Sequence, residues 1–344
     1  MLIILKEYFT LAVGNFLKKT CLLVVLLVFI GFSASAEDIA NEIGGKNGHH
    51  VSLGLSFGLL SGTSEEIVYR NSSANNYLSQ LNWELNPLLY VGVDAGYGWQ
   101  SQAVPESVFG KILSGFFVDV FFKYGLPGDT GVMEDRDWIR QPTWVVSHYS
   151  LHDNRTDIAM LAGLDVGRSF KLWNEFRLGA FLSYNVMYYS FSARGGTFLY
   201  PELDGGHFFD PSQETVVTYK QFWQIFSPGI SFYGEFNRYF DIELFFRISP
   251  LVTVSSFDEH LVRTLQIIND PMPFGLYIEP GFIFTFKPAS KFMLSLSLNH
   301  RSIGGNRGDS RYRYPDNSNT YTNVGGADYS AFDIGLTVKY RIGE

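Results

Sequence analysis

In the segment AFDIGLTVKYRI, residues 331–342, every second side chain is apolar: Phe332, Ile334, Leu336, Val338, Tyr340 and Ile342. Between them stand Asp333, Gly335, Thr337, Lys339 and Arg341. Side chains alternate across an extended strand, so one face is greasy and the other polar or small. The same parity recurs at Phe292, Leu294, Leu296 and Leu298, and at Leu276, Ile278, Phe282, Phe284 and Phe286. It is also present at Phe240, Ile242, Leu244, Phe246 and Ile248, and at Val51, Leu53, Leu55, Phe57 and Leu59. The second faces of these segments carry Asp241, Glu243, Arg247 and Glu279. Carboxylates there are costly in the core of a soluble sandwich, whose outer face would also be richer in Lys and Glu. In the polar lumen of an outer-membrane barrel they are ordinary, and the alternation predicts such a barrel.

Composition agrees. Aromatic residues make up 17 % of the chain, with 31 Phe and 20 Tyr, as expected of girdles at the two membrane interfaces. At the start, Lys18 and Lys19 precede the run TCLLVVLLVFIGFSASAED. Its apolar part has the length of a signal-peptide core, and Ala34-Ser35-Ala36 supplies a small-residue cleavage site. The expected organisation is a signal peptide over 1–36 and a single barrel domain over 37–344. The one cysteine, Cys21, leaves with the signal, so the exported protein needs no disulfide for its stability. Beyond the signal, no stretch has the ~18 consecutive apolar residues of a spanning helix.

The connections alternate in length. Short ones hold KLWNE (171–175), NRY (237–239) and KPASK (287–291), and long polar ones fall near 61–76, 127–155, 192–218, 253–270 and 300–328. Short turns belong to the periplasmic side and long loops to the outside. Five long and four short connections give a ten-stranded antiparallel transmembrane β-barrel. Between Trp83 and Phe122 two candidate turns compete, Asn86-Pro87 and 101–109, and counting both breaks the parity.

Two acid clusters fall in the second and fourth long loops, GVMEDRDWIR (131–140) and SSFDEHLVR (255–263). In extended backbone the i, i+2 spacing puts Asp135 and Asp137 on one face, and likewise Asp258 and His260. Two carboxylates opposite an Asp-oriented imidazole can hold and deprotonate a water, which is general-base hydrolysis without a covalent intermediate. Solvated loop ion pairs are the bland alternative. A strand running unbroken through Ile248 would also point Asp258 and His260 outward. Pro250 cannot donate to a ladder and is the expected place for a bulge that resets the face.

From about Val51 to Tyr340 the chain resembles the omptins, ten-stranded outer-membrane aspartyl endopeptidases of Gram-negative bacteria. The resemblance rests on SLGLSFGLLSGTSEEIVY, LSQLNWEL, EDRDW, YSFSARGGTFLY, TYKQFW and DEH, in that order. It implies a catalytic couple at Asp135 and Asp137 and a dyad at Asp258 and His260, which together cut peptide bonds between basic residues. It also implies that Glu66 receives the basic side chain before the cut. Ser256 stands where a second acid of that pocket is expected, and Val145 where an acid would face the residue after the cut, so that subsite is expected to turn apolar. Ser147 is not expected to be a nucleophile. Omptins also depend on lipopolysaccharide bound at the outer wall. Tyr184 matches that site, whereas Val186 and Tyr188 replace an acid and an arginine.

The expected partners are cationic peptide or protein substrates and outer-membrane lipid. No metal and no nucleic acid are expected, and the barrel is expected to be a monomer. The competing readings are a catalytically weak barrel acting as an adhesin, and a small pore. Against the pore, the lumen-facing charges could pair across the interior and plug it.

Overall fold

A computed structural model describes residues 49–72, 76–99, 115–140, 145–173, 175–201 and 208–342, and regular structure among them is entirely β. The signal peptide expected over 1–36 and the turn expected over 101–109 lie outside the described residues. Six strands are continuous: β1 (His49–Tyr69), β6 (His148–Lys171), β7 (Phe176–Leu199), β8 (Phe208–Asn237), β13 (Phe292–Arg313) and β14 (Ser318–Ile342). Four more are each broken into two segments. These are β2 (Tyr77–Glu84) with β3 (Leu88–Trp99), and β4 (Phe116–Gly125) with β5 (Gly128–Asp137). The others are β9 (Phe240–Ser249) with β10 (Val252–His260), and β11 (Leu265–Pro273) with β12 (Leu276–Phe286). Each of the ten pairs antiparallel with both neighbours, and β14 closes on β1 with Ile342 opposite Val51. The chain is a ten-stranded outer-membrane β-barrel.

Asn86-Pro87 does not reverse the chain. β2 and β3 both lie against β1, with Glu84 opposite Thr63 and Leu88 opposite Leu60. The proline lacks a ladder donor and marks a break inside one strand, which restores the even count.

The long loops also need correction. Most of 61–76, 127–155, 192–218, 253–270 and 300–328 is strand, and β8 alone runs for 30 residues. About 9–11 residues suffice to cross a membrane, so the hairpins stand well above the lipid. There the outer face meets water instead of lipid, and the apolar alternation that marks a membrane strand is lost. Around the lipid band the expected face is exposed, for example at Leu55, Phe57, Phe332, Leu336 and Val338.

The interior is filled in layers. At membrane level, Arg247 bridges Glu279 at 2.7 Å and Asp165 at 2.5 Å. Arg301 bonds Glu279 at 2.8 Å, and Asp333 is held by Lys123 at 2.6 Å and by the Tyr90 hydroxyl. These residues come from β3, β4, β6, β9, β12, β13 and β14, so the ion pairs cross the lumen from wall to wall. Above them lies an aromatic layer. Trp83 packs against both Phe191 and Tyr219 at 5.5 Å, those two rings lie 6.4 Å apart, and the hydroxyls of Tyr189 and Tyr329 meet at 2.9 Å. Each such ring pair contributes about 0.5–1.5 kcal/mol beyond its burial. This layer is the floor of the extracellular cleft.

Candidate active site

Two register shifts decide which side chains enter the cleft. On β5, Asp129 pairs with Arg155, but Val132 pairs with Asp153, so Thr130 and Gly131 together oppose Asn154. Gly131 has φ +104°, and a Cβ there would sit 2.1 Å from Glu84 Oε2. Glu84 accepts the Val132 N–H at 3.0 Å and fastens the bulge. Thr130 is buried before it; Met133, Asp135 and Asp137 are buried after it. The second shift lies at Pro250-Leu251. Gly229 is opposite Arg247, whereas Ile225 is opposite Val252, one residue out of step. Arg247 and Ser249 face inward on β9, and Ser256, Asp258 and His260 do so on β10. The reset expected at Pro250 is present.

Asp135, Asp137, Asp258 and His260 are thus all buried in one cleft above the aromatic floor. His260 Nε2 lies 2.7 Å from Asp258 Oδ2. Burial disfavours a charged imidazole, but the Asp258 carboxylate outweighs it and holds the His260 pKa above the ordinary value. Burial, and then the Asp137 carboxylate, push Asp135 up to about 8. Asp137 is raised by burial, against a hydrogen bond from Ser79. Asp135 also feels His260 and Asp258, so the couple and the dyad share one electrostatic environment.

Glu66 is fully buried beside them. Asn269 Nδ2 donates to Glu66 Oε1 at 3.1 Å and to Ser256 Oγ at 2.7 Å, and Ser310 donates to Asn269 Oδ1. Glu66 Oε2 has no hydrogen-bond partner among the described residues. Burial, followed by the Asp258 charge, holds this carboxyl well above its usual range. Ser256 therefore belongs to a neutral amide–hydroxyl cluster beside Glu66. Asn269 gave no signal in the sequence, being 203 positions from its partner.

The remaining candidates lie further out. Val145, between β5 and β6, is exposed. Ser147 Oγ accepts the N–H groups of Ile139 and Arg140 and contacts His148 Nδ1 at 3.0 Å, so it fastens a turn. Tyr184 is exposed on the outer wall and donates to Gln224 Oε1 at 3.1 Å. It borders an apolar crevice of about 310 Å³ lined by Phe226, Leu251, Pro273 and Phe274. Trp138 packs its ring 5.9 Å from that of Tyr77, and its carbonyl accepts from Arg70.

A profile described as the Omptin family matches residues 47–342. The chain belongs to the omptin family. Among curated relatives, outer membrane protease IcsP of Shigella flexneri is 29 % identical, over 85 % of this chain and 90 % of IcsP. Outer membrane protease OmpP of Escherichia coli K12 is 28 % identical, over 89 % of this chain and 94 % of OmpP. The crystal structure of outer membrane protease OmpT from Escherichia coli superposes with a TM-score of 0.75 at 20 % identity. That match covers 85 % of this chain and 96 % of OmpT, and it carries the barrel fold. This omptin is an outer-membrane protease.

Proposed function

We propose that this omptin hydrolyses peptide bonds next to basic residues, using a water activated between His260 and the Asp135–Asp137 couple. The observation that carries the reading is one buried cleft that brings together a carboxylate-bound imidazole and a second, buried carboxyl pair. With Nε2–H directed at Asp258, the Nδ1 lone pair of a neutral His260 can accept a proton from water. The resulting hydroxide attacks the scissile carbonyl. A protonated Asp135 donates a hydrogen bond to the carbonyl oxygen as it gains charge, the role that a preorganised donor plays in a water-poor site. The imidazolium then returns its proton to the departing amine.

The orphaned oxygen of Glu66 suits a Lys or Arg side chain before the cut, whose charge would favour release of the carboxyl proton to solvent and pair with the carboxylate left behind. We take the substrates to be cationic peptides or proteins and the barrel to act as a monomer, without a metal. Lipopolysaccharide is proposed as an activating lipid on the outer wall at Tyr184, where an exposed tyrosine borders an apolar crevice.

The test is turnover of a peptide library by refolded protein, with and without lipopolysaccharide. Cleavage is expected after Arg or Lys, and Asp135→Asn, Asp137→Asn, Asp258→Asn and His260→Ala should each remove most of it. Unchanged turnover in any two of these variants would refute a shared site.

A further inference from the structure

A cation stands at the mouth of this acidic cleft. Arg263 lies three residues beyond His260, in the tip that joins β10 to β11. Its Nη2 donates to the Tyr200 hydroxyl at 2.9 Å, and its guanidinium sits 5.6 Å from the Tyr200 ring. Tyr200 follows β7, which is separated from β10 by β8 alone, and its hydroxyl hydrogen-bonds Ser150. Ser150 Oγ meets His152 Nε2 at 2.9 Å, and His152 Nδ1 donates to the Gly195 carbonyl.

Burial keeps the His152 pKa low, so its ring is neutral with the proton on Nδ1. Nε2 then accepts from Ser150, and the Tyr200 hydroxyl accepts from Arg263. The glycine pair of the ARGG motif closes the chain: Gly195 and Gly196 have φ +47° and +113°, and a Cβ on Gly196 would lie 2.7 Å from His152 Nδ1. Tyr200 is also braced edge-on by His148, at 5.2 Å, which pairs across strands with Asp137.

The guanidinium is therefore held in place, and it is exposed to the cleft mouth. Its charge acts on Asp135, Asp137 and His260. Among the described residues no carboxylate forms an ion pair with it. Glu66, by contrast, sits deep beside Asp258 and Asn269.

We propose that Arg263, tethered by Tyr200, is a specificity-determining residue that favours an acidic side chain in the substrate on the side of the cut opposite the Glu66 pocket, and disfavours a basic one there. The proposal rests on the assignment of Glu66 to the residue before the cut. A fixed cation with no ion-pair partner among the described residues gains a charge-assisted pair from a substrate Glu and meets repulsion from a Lys. The exposed, apolar Val145 supplies no charge to oppose this preference.

The test uses the full-length barrel in detergent with lipopolysaccharide and fluorescein-labelled peptides bearing one Arg. The two residues after Arg are Glu, Gln or Lys, and the peptide bond after Arg is N-methylated to prevent cleavage. Wild type is expected to bind the Glu peptide more tightly than the Lys peptide. The Lys-to-Glu ratio of Kd should fall by about tenfold in Arg263→Gln, the equivalent of 1.4 kcal/mol. Arg263→Lys should keep the sign of the preference, Arg263→Glu should invert it, and Tyr200→Phe should weaken it. A ratio that changes less than twofold between wild type and Arg263→Gln, or tighter binding of Lys by wild type, overturns the proposal. Unmethylated peptides are assayed for cleavage in parallel. An intact binding preference without cleavage would count against the hydrolytic reading and support this one.

Discussion

Replacing Gly131 by alanine tests whether the β5 bulge delivers the two aspartates to the cleft. The native backbone there has φ +104°, and the new Cβ would meet Glu84 Oε2 at 2.1 Å. Holding a residue other than glycine in such a region costs roughly 1–3 kcal/mol, and Glu84 cannot retreat without releasing the Val132 N–H. The protein can escape by reshaping the bulge. A one-residue slip turns every following side chain to the other face, moving Asp135 and Asp137 outward and Glu134 and Arg136 inward. If native and slipped forms compete, the strain corresponds to about a 5- to 150-fold smaller native fraction. kcat for an Arg peptide should fall by that factor, whereas KM should hold, since the Glu66 pocket sits on β1. Heat-modifiable migration on SDS gels separates a folded but misregistered barrel from an unfolded one. Full turnover by a folded Gly131→Ala protein would refute the bulge argument.

Glu66→Gln should raise KM for Arg peptides by about tenfold or more relative to neutral ones, because a charge-assisted bond is worth about 1.5–3 kcal/mol; equal effects on both would remove Glu66 from the pocket. Glu66 is neutral until the pH exceeds its raised pKa, so KM for basic peptides should fall as pH rises, and proton release on binding should be visible by calorimetry in two buffers of different ionisation heat. The kcat profile should be bell-shaped. Its acid limb lies above pH 6.5, since a base must be neutral and Asp258 raises the His260 pKa, and its alkaline limb lies near the Asp135 value of about 8. A rate independent of pH from 6 to 9 (roughly the span of such limbs) would contradict both assignments. In planar bilayers the wild-type barrel should show no steady conductance. Arg301→Ala strips a partner from Glu279 and Asp333 and should cost about 3–5 kcal/mol, read as a lower unfolding temperature.

What could be read from the sequence tracks where lipid is. Along β14, Phe332 to Tyr340 alternate because one face meets hydrocarbon and the other the charged interior, and that pairing of periods gave the barrel and the strand count. Above the lipid, both faces of β5 and β10 meet polar surroundings, so EDRDW and FDEH looked like loops. That Asp135 shares a face with Asp137, and Asp258 with His260, was legible all the same, because i, i+2 spacing survives in extended loop and strand alike. Pro250 announced its reset, since proline cannot serve a central ladder. Gly131 did not, as a glycine between two strands has no distinctive neighbour pattern. Asn269, Tyr200 and Arg263 were invisible for another reason: their partners lie 203 positions away for Asn269 and 63 for the Tyr200–Arg263 pair.

The ion pairs spanning the lumen give the enzyme a single entrance. A peptide that enters from outside cannot thread through the barrel, so both fragments must back out past the rim they crossed on the way in. On the specificity proposed above, the fragment ending in the basic residue keeps its grip on Glu66 after the bond is cut, and it gains a carboxylate among the cleft's acids. Repulsion between that new terminus and its surroundings is then the force that clears the site. A cut fragment whose C-terminus is amidated lacks that charge and should linger, inhibiting turnover more strongly than the free acid.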